Sequence, residues 1–171
     1  MTNQPKVWDA LLVIGLFVLA LVYLIITMST NDPAWFLSSF KGEPTRIVIY
    51  HQGGRTEITP ESADYAALNA LLNQSLSRSS GYDEGLGLSP ESLQDYRARE
   101  TVVEVFYAQP VLIHSRFNFG RPDSLLIPLS GRHSEQHPVF GGVQGDYLPG
   151  TLNLRDVSAL KAKLAELGYI D

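Results

Sequence analysis

ALLVIGLFVLALVYLIITM, residues 10–28, is an uncharged apolar stretch that decides the architecture of the chain. A helix of roughly 20 apolar residues, rising about 1.5 Å per residue, crosses the ~30 Å hydrocarbon layer of a membrane with its backbone hydrogen bonds satisfied internally. The sequence therefore predicts a transmembrane helix over residues 10–30, preceded by a short tail at residues 1–9.

Two other interpretations of this stretch are less consistent with the sequence. A cleaved signal peptide has a shorter apolar core, about 7–15 residues, and a small-x-small cleavage site. Residues 27–33, TMSTNDP, offer no good site of this kind, and the chain has no cysteine for lipid attachment. A soluble protein would need a large core to bury a helix that is apolar on every face. We therefore interpret the stretch as a retained anchor.

Aromatic residues flank the predicted span on both sides. Trp8 lies just before it, and Trp35, Phe36 and Phe40 follow it. Such residues are enriched at the headgroup level of membranes. We predict that these four side chains contact the membrane interface or a partner.

Residues 31–42 are predicted to be an interfacial segment or linker. Asn31, Asp32 and Pro33 provide a capping side chain followed by a proline, which is typical of a helix start. A short helix over residues 33–40 on the membrane surface is one interpretation, and an ordered linker with buried aromatic residues is the other.

The charges next to the span give a weak indication of orientation. The tail carries Lys6 and the terminal amine against Asp9, whereas Asp32 precedes the first basic residue on the other flank, Lys41. This bias and the short tail favour a cytoplasmic N-terminus and an extracytoplasmic C-terminal domain. The absence of cysteine is compatible with export but does not establish it.

Residues 43–171 are sufficient for one soluble domain of ordinary size. They carry 16 acidic and 11 basic residues, and the whole chain has a net charge of −5. No basic cluster or stripe is visible in the sequence, which argues against nucleic-acid binding and against a polybasic segment for anionic lipid. The bilayer itself is the first predicted partner.

The domain begins with a predicted β-hairpin and two helices. Residues 46–52 and 55–58 have strand composition and flank Gly53 and Gly54, which suit a tight turn. A helix is predicted from Thr59-Pro60, with an apolar side formed by Tyr65, Leu68, Leu72 and Leu76. A second helix is predicted from Ser89 to about Glu100, with Ser89 as its cap.

The second half of the domain is predicted to contain most of the strands. Strands are expected over residues 101–107, 111–115 and 124–129, with a mobile connector over residues 77–88 and weak edge pairing around residues 139–140 and 146–148. A last helix is predicted to be capped by Asn153 and closed by Gly168. This order predicts an α+β fold, with an antiparallel or mixed sheet and about three helices on one face.

The most suggestive polar cluster is a loop that contains His133, Glu135 and His137. On a helix the two histidines would face one metal ion, but Gly131 and Pro138 indicate a loop. In an extended segment alternate residues lie about 6–7 Å apart, too far for joint coordination without a bend. A solvated polar loop is the preferred interpretation; a metal site, completed for example by a further histidine, is the alternative.

Three other patterns resemble catalytic or binding motifs without completing them. His114, Ser115 and Asp123 are triad residue types, but no G-x-S-x-G elbow surrounds the serine. Residues 141–146, GGVQGD, lack the Gly-Lys-Ser/Thr ending of a phosphate-binding loop.

The third pattern is a group of arginines. Arg116, Arg121 and Arg132 lie in loops that would bind an acidic partner if they met at one end of the sheet. Isolated surface arginines are the preferred interpretation of this group.

The sequence therefore predicts no enzyme and no cofactor. It favours a single-pass membrane protein whose extracytoplasmic domain is a non-enzymatic interaction module, such as an accessory subunit of a membrane complex with a membrane-protein partner of unknown identity. The alternative is a membrane-tethered ligand-binding domain, metal-binding domain or enzyme that uses the His133, Glu135 and His137 loop.

Overall fold

A long N-terminal helix precedes the folded domain. The computed structural model describes residues 7–37 and 39–171. Helix α1 covers Val7–Thr30, with a mean hydropathy of 2.9 over its most apolar window and none of that window buried. Its 24 residues extend about 36 Å, so α1 is long and apolar enough to cross a membrane. It begins three residues before the predicted span, and residues 1–6 of the predicted tail lie outside the described residues.

Ten further helices and strands form an α+β domain, as predicted. The helices are α2 (Tyr65–Leu76), α3 (Pro90–Arg99) and α4 (Ser158–Glu166). The strands are β1 (Arg46–His51), β2 (Gly54–Ile58), β3 (Ser79–Asp83), β4 (Val102–Phe106), β5 (Ser124–Pro128), β6 (Pro138–Val143) and β7 (Asp146–Leu154). They form one sheet in the order β2-β1-β4-β5-β6-β7-β3, and every pairing is antiparallel.

The sheet is covered by helices on both faces. In β4, Val103 and Val105 face the larger core, where α2 and α4 pack, while Val102 faces α3 on the opposite side. The larger core includes α2 and α4 residues Leu68, Leu72, Leu76, Leu160 and Leu164. The prediction that all helices share one face is therefore wrong for α3, because side chains buried on both faces of β4 require a cover on each side.

The β1–β2 hairpin confirms the predicted turn, with a shift of one residue. His51 pairs with Gly54, so the two-residue loop is Gln52-Gly53, and both residues have positive φ, 49° and 82°. Such a loop requires left-handed backbone at both positions, which matches the right-handed twist of the strands.

Several predicted elements differ in the structure. Residues 111–115 form no regular strand, although Ile113 and Ser115 are buried. The predicted connector contains β3, which pairs with β7 at the far edge of the sheet. The signals for both segments depended on local composition, whereas long-range pairing determines which segment joins the ladder.

The predicted helix starts were also partly wrong. Helix α2 begins at Tyr65, not directly after Pro60, and Asn153 lies in β7 instead of capping α4. Ser89 does cap α3, accepting a hydrogen bond from the backbone N–H of Ser92. Gly168, with φ of 75°, follows α4 as predicted.

A buried ion pair joins α3 to the sheet. Glu104 of β4 is fully buried, and Arg97 of α3 donates to both of its carboxylate oxygens, at 2.7 and 3.0 Å. The Arg97 side chain is 38% exposed. A buried carboxylate is stable only while it is paired, so this contact fixes α3 on its face.

We predict that Arg97→Ala destabilises the domain by about 3 kcal/mol, because it leaves the Glu104 carboxylate buried without a partner. Chemical denaturation of the full chain in detergent, followed by circular dichroism, measures this change. The double variant R97M/E104M should recover most of the loss, since no buried charge is left unpaired.

Arg99→Ala is the matched control for this prediction. Arg99 lies on the same helix, is 77% exposed and pairs with the exposed carboxylate of Asp95, so its loss should change the free energy of unfolding by less than about 0.5 kcal/mol. Equal effects of the two arginine substitutions would contradict the assignment.

Candidate functional site

A buried hydrogen bond between two side chains connects the end of α1 to the domain. Asp32, two residues after the helix, is 2% exposed, and its carboxylate oxygens lie 3.0 and 3.2 Å from Nδ1 of His114. The backbone N–H of Ala34 donates to the same carboxylate at 2.9 Å. Because desolvation of an unpaired carboxylate is costly, the Asp32–His114 pair holds the segment after α1 against the domain.

Local contacts tighten the same junction. Thr30 is 8% exposed and donates a hydrogen bond from Oγ1 to the carbonyl of Ile26 at 2.8 Å. The Tyr23 hydroxyl donates to the carbonyl of Pro33 at 3.1 Å, and the rings of Tyr23 and Phe36 lie 6.4 Å apart. The last turn of α1 and the following residues therefore form one packed unit.

The four predicted aromatic contact residues have different positions. Trp8, in the first turn of α1, is 79% exposed, and Phe36 is 59% exposed. Trp35 is half-buried and stacks edge-on against Phe36 at 5.7 Å. Phe40 is 6% exposed and packs edge-on against Tyr107 in the main core, so its ring is not presented to a membrane or a partner.

The structure places no helix at residues 33–36. This stretch forms turns, and Leu37 and residues 39–45 are irregular, with Ser38 outside the described residues. The predicted linker with a buried aromatic residue is therefore closer to the structure than the predicted surface helix.

A pocket of about 690 Å³ opens beside the junction. Its lining includes Trp35, His114 and three arginines from distant parts of the chain, Arg78, Arg116 and Arg155. We call it the junction pocket. Arg121 and Arg132 do not line it, so the arginine group suggested by the sequence is not brought together.

A second concavity, of about 710 Å³, lies on the α3 face. Tyr96 and Phe140 contribute aromatic surface, while Glu100, Arg132 and His133 contribute polar groups. The Tyr96 hydroxyl donates to the carbonyl of Arg132. Burial and, secondarily, the charge of Glu100 raise the pKa of Tyr96, so the phenol stays protonated and keeps this donor.

The predicted histidine loop contains a short 3₁₀ helix over Ser134–Gln136, flanked by left-handed backbone at His133 and His137. His133 lines the α3 concavity, Glu135 is exposed, and His137 is half-buried. Over residues 7–37 and 39–171, no three His, Cys, Asp or Glu side chains are grouped to hold a metal ion. The loop therefore does not assemble the suggested ligand set.

The other suggested motifs have structural roles. Ser115 is buried and accepts a hydrogen bond from the N–H of Phe117. Its neighbour His114 contacts Asp32, while Asp123 accepts bonds from the Ser124 hydroxyl and the N–H of Gln144. The three triad residue types thus have other partners.

Residues 141–146, suggested as a phosphate loop, instead join β6 to β7. Gln144 and Gly145 have positive φ, 54° and 95°, and form the hairpin turn between the strands. No helix begins there to receive a phosphate, because the chain continues directly into β7.

Sequence reasoning missed both the Asp32–His114 pair and the junction pocket. Asp32 was interpreted as a capping residue, and it does accept from Ala34 N–H, but its main partner is 82 positions away. No sequence pattern connects residues at that distance. The sequence singled out Trp35, His114, Ser115 and Arg116 separately, but it did not indicate that they line one pocket.

Comparison of this chain with protein-family models, curated proteins and solved structures found no match. The functional argument therefore depends on the geometry of the chain itself.

We predict that Asp32→Ala loosens the domain from α1, weakening docking by about 1.5–3 kcal/mol, because a charge-assisted hydrogen bond is lost. The chain has no native cysteine, so a Met28→Cys, Gln109→Cys pair can be spin-labelled without background. Electron–electron distance measurements should show one narrow distribution for the parent and a broad one for the variant. His114→Ala should have the same effect.

Glu43→Ala is the matched control, since it removes an exposed carboxylate from the same connecting segment. Its distance distribution should equal that of the parent. An unchanged distribution in the Asp32 and His114 variants would show that the hydrogen bond between them does not hold the junction.

Proposed function

We propose that this chain is a single-pass membrane protein with a cytoplasmic N-terminus and an extracytoplasmic, non-enzymatic interaction domain. In this proposal the domain acts as an accessory subunit that contacts another membrane protein. The observation that carries it is the junction: the residue pair Asp32 and His114 fixes the domain directly against the end of an apolar helix of membrane-spanning length.

The junction also supports retention of α1. A signal peptide is removed at an accessible, extended segment after its apolar core. Here the helix continues to Thr30, and both Thr30 and Asp32 are buried against neighbouring residues. In this proposal the residues after α1 belong to the folded unit and do not form an open cleavage site.

Tethering supplies the mechanism of interaction. A domain held at the bilayer has a high effective concentration toward neighbouring membrane proteins, so a modest interface is occupied. The fixed junction adds a defined orientation, which lowers the entropy lost when a partner binds. Phe36 and Leu37 are 59% and 45% exposed and offer apolar contact at the level of the bilayer surface.

Anchoring and orientation give the first test of this function. We expect the full chain to stay in the membrane pellet after alkaline carbonate washing. We also expect Gln144→Cys, at the exposed β6–β7 turn, to react with a membrane-impermeant maleimide in intact cells, because the domain is outside. Thr2→Cys should react only after the cells are opened.

Release of the full chain by carbonate would contradict the anchor. The reverse labelling pattern, with position 2 accessible and position 144 protected, would contradict the extracytoplasmic assignment while leaving the anchor intact.

The interaction role is tested by photo-cross-linking in native membranes. A photoreactive residue at Phe36 should capture one reproducible membrane protein, because its exposed ring lies at the predicted contact surface. The same probe at Leu37 should capture the same protein. At Thr56, exposed on the edge strand β2, it should not. Absence of any specific product at positions 36 and 37 would contradict the proposed interaction.

A further inference from the structure

We propose that the junction pocket binds a phosphate group with uncompensated negative charge, the chemistry shared by an anionic phospholipid headgroup and a soluble phosphate ester. The lipid source depends on the membrane anchoring proposed above, whereas the phosphate site itself does not.

Two of the arginines are neighbours across paired strands. The backbone N–H of Arg155 donates to the carbonyl of Arg78 at 2.9 Å, next to the pairing of Ser79 with Leu154. Both side chains belong to exposed residues. Among the described residues, neither guanidinium has an ion-pair partner. The pairing of β3 with β7 therefore concentrates positive charge at this point.

Arg116 adds a third guanidinium from a different loop. Its carbon Cζ lies 5.1 Å from the centre of the Phe117 ring, and it too has no carboxylate partner in the described part of the chain. The lining residues include no aspartate or glutamate. The carboxylate of Asp32 at the junction is engaged by His114.

Trp35 provides aromatic surface in the lining of the pocket. Its indole Nε1 is buried and has no hydrogen-bond acceptor within the described residues. Because this nitrogen is inaccessible to solvent, the arginine guanidinium groups supply the donors that a ligand in the pocket would meet.

Charge selects the class of ligand. The chain as a whole has a net charge of −5, yet three uncompensated arginines share one concavity. Guanidinium groups bind phosphate oxygens with paired N–H donors, and a bound anion would relieve the repulsion among them. An acidic surface elsewhere directs an anion toward this site rather than to the rest of the domain.

Position favours a lipid as the source of the phosphate. The helix is about 6 Å longer than the ~30 Å hydrocarbon layer, so its end reaches the headgroup region. Trp35 follows the last residue of α1 by five positions, which limits its distance from the helix end to about 18 Å along the chain. The pocket therefore lies where a headgroup of the surrounding bilayer can enter it.

Tryptophan fluorescence gives a direct binding measurement on the full chain. The chain has only two tryptophans, and Trp8→Phe leaves Trp35 as the single reporter in the pocket. In neutral detergent micelles we expect short-chain phosphatidylglycerol to produce a saturable change, because its phosphate charge is uncompensated. Short-chain phosphatidylcholine should produce none at the same concentration.

Substitution of the arginines tests the site itself. Each of Arg78→Gln, Arg116→Gln and Arg155→Gln should weaken binding about fivefold, and R78Q/R116Q/R155Q on the order of a hundredfold. Arg121→Gln, an exposed arginine outside the pocket, is the matched control and should bind like the parent. If circular dichroism shows that the triple variant does not fold, the binding of the three single variants is compared with that of the parent instead.

Equal responses to the two lipids would overturn the proposal, and so would arginine variants that bind like the parent. Glycerol phosphate identifies the source: binding as tight as that of phosphatidylglycerol supports a soluble phosphate ester, and at least tenfold weaker binding supports a lipid. A chain that carbonate releases but that binds glycerol phosphate contradicts the anchor alone. An anchored chain that binds neither probe contradicts the pocket alone.

Discussion

The Asp32–His114 pair is the constraint on which the spatial relation of helix and domain depends. The apolar window of α1 is not buried against the rest of the chain, so the helix and the sheet would otherwise be joined by an irregular segment alone. A carboxylate that is 2% exposed must keep its partner. Leaving the charge buried and unpaired would cost more free energy than the connecting segment would gain in conformational entropy. The same pair brings Trp35 beside Arg78, Arg116 and Arg155 and thereby creates the junction pocket.

The domain uses a buried charge pair in a comparable way on its opposite face. Arg97 and Glu104 attach α3 to the sheet. On the other side α2 and α4 pack against the larger apolar core, and Asn73 and Tyr65 of α2 also hydrogen-bond to the segment before β1. Hydrophobic burial is not directional, whereas a two-bond guanidinium–carboxylate contact specifies one position and one angle. Both buried polar contacts thus determine the position of an element, and the apolar core supplies most of the stability.

The sequence analysis predicted the elements whose signals are local. The apolar run of α1, the Gln52-Gly53 region of the first hairpin, the Ser89 cap and the periodic leucines of α2 and α4 each depend on neighbours within a few residues. It failed where distant partners decide the outcome. β3 was predicted to be a connector because its serine and glycine composition is poor for a strand, and only pairing with β7 makes it one. The candidate site was unpredictable for the same reason, since its arginines lie 38 and 39 positions apart and form no cluster in the sequence.

The placement of β3 has a consequence for biogenesis. This strand belongs to the first half of the chain but pairs only with β7, whose last residue is Leu154. During synthesis, α1 leaves the ribosome long before β7, and contacts between segments so far apart in sequence form slowly. Until β7 is synthesised, β3 has no strand to pair with. The sheet is therefore completed only when the final quarter of the polypeptide has been synthesised.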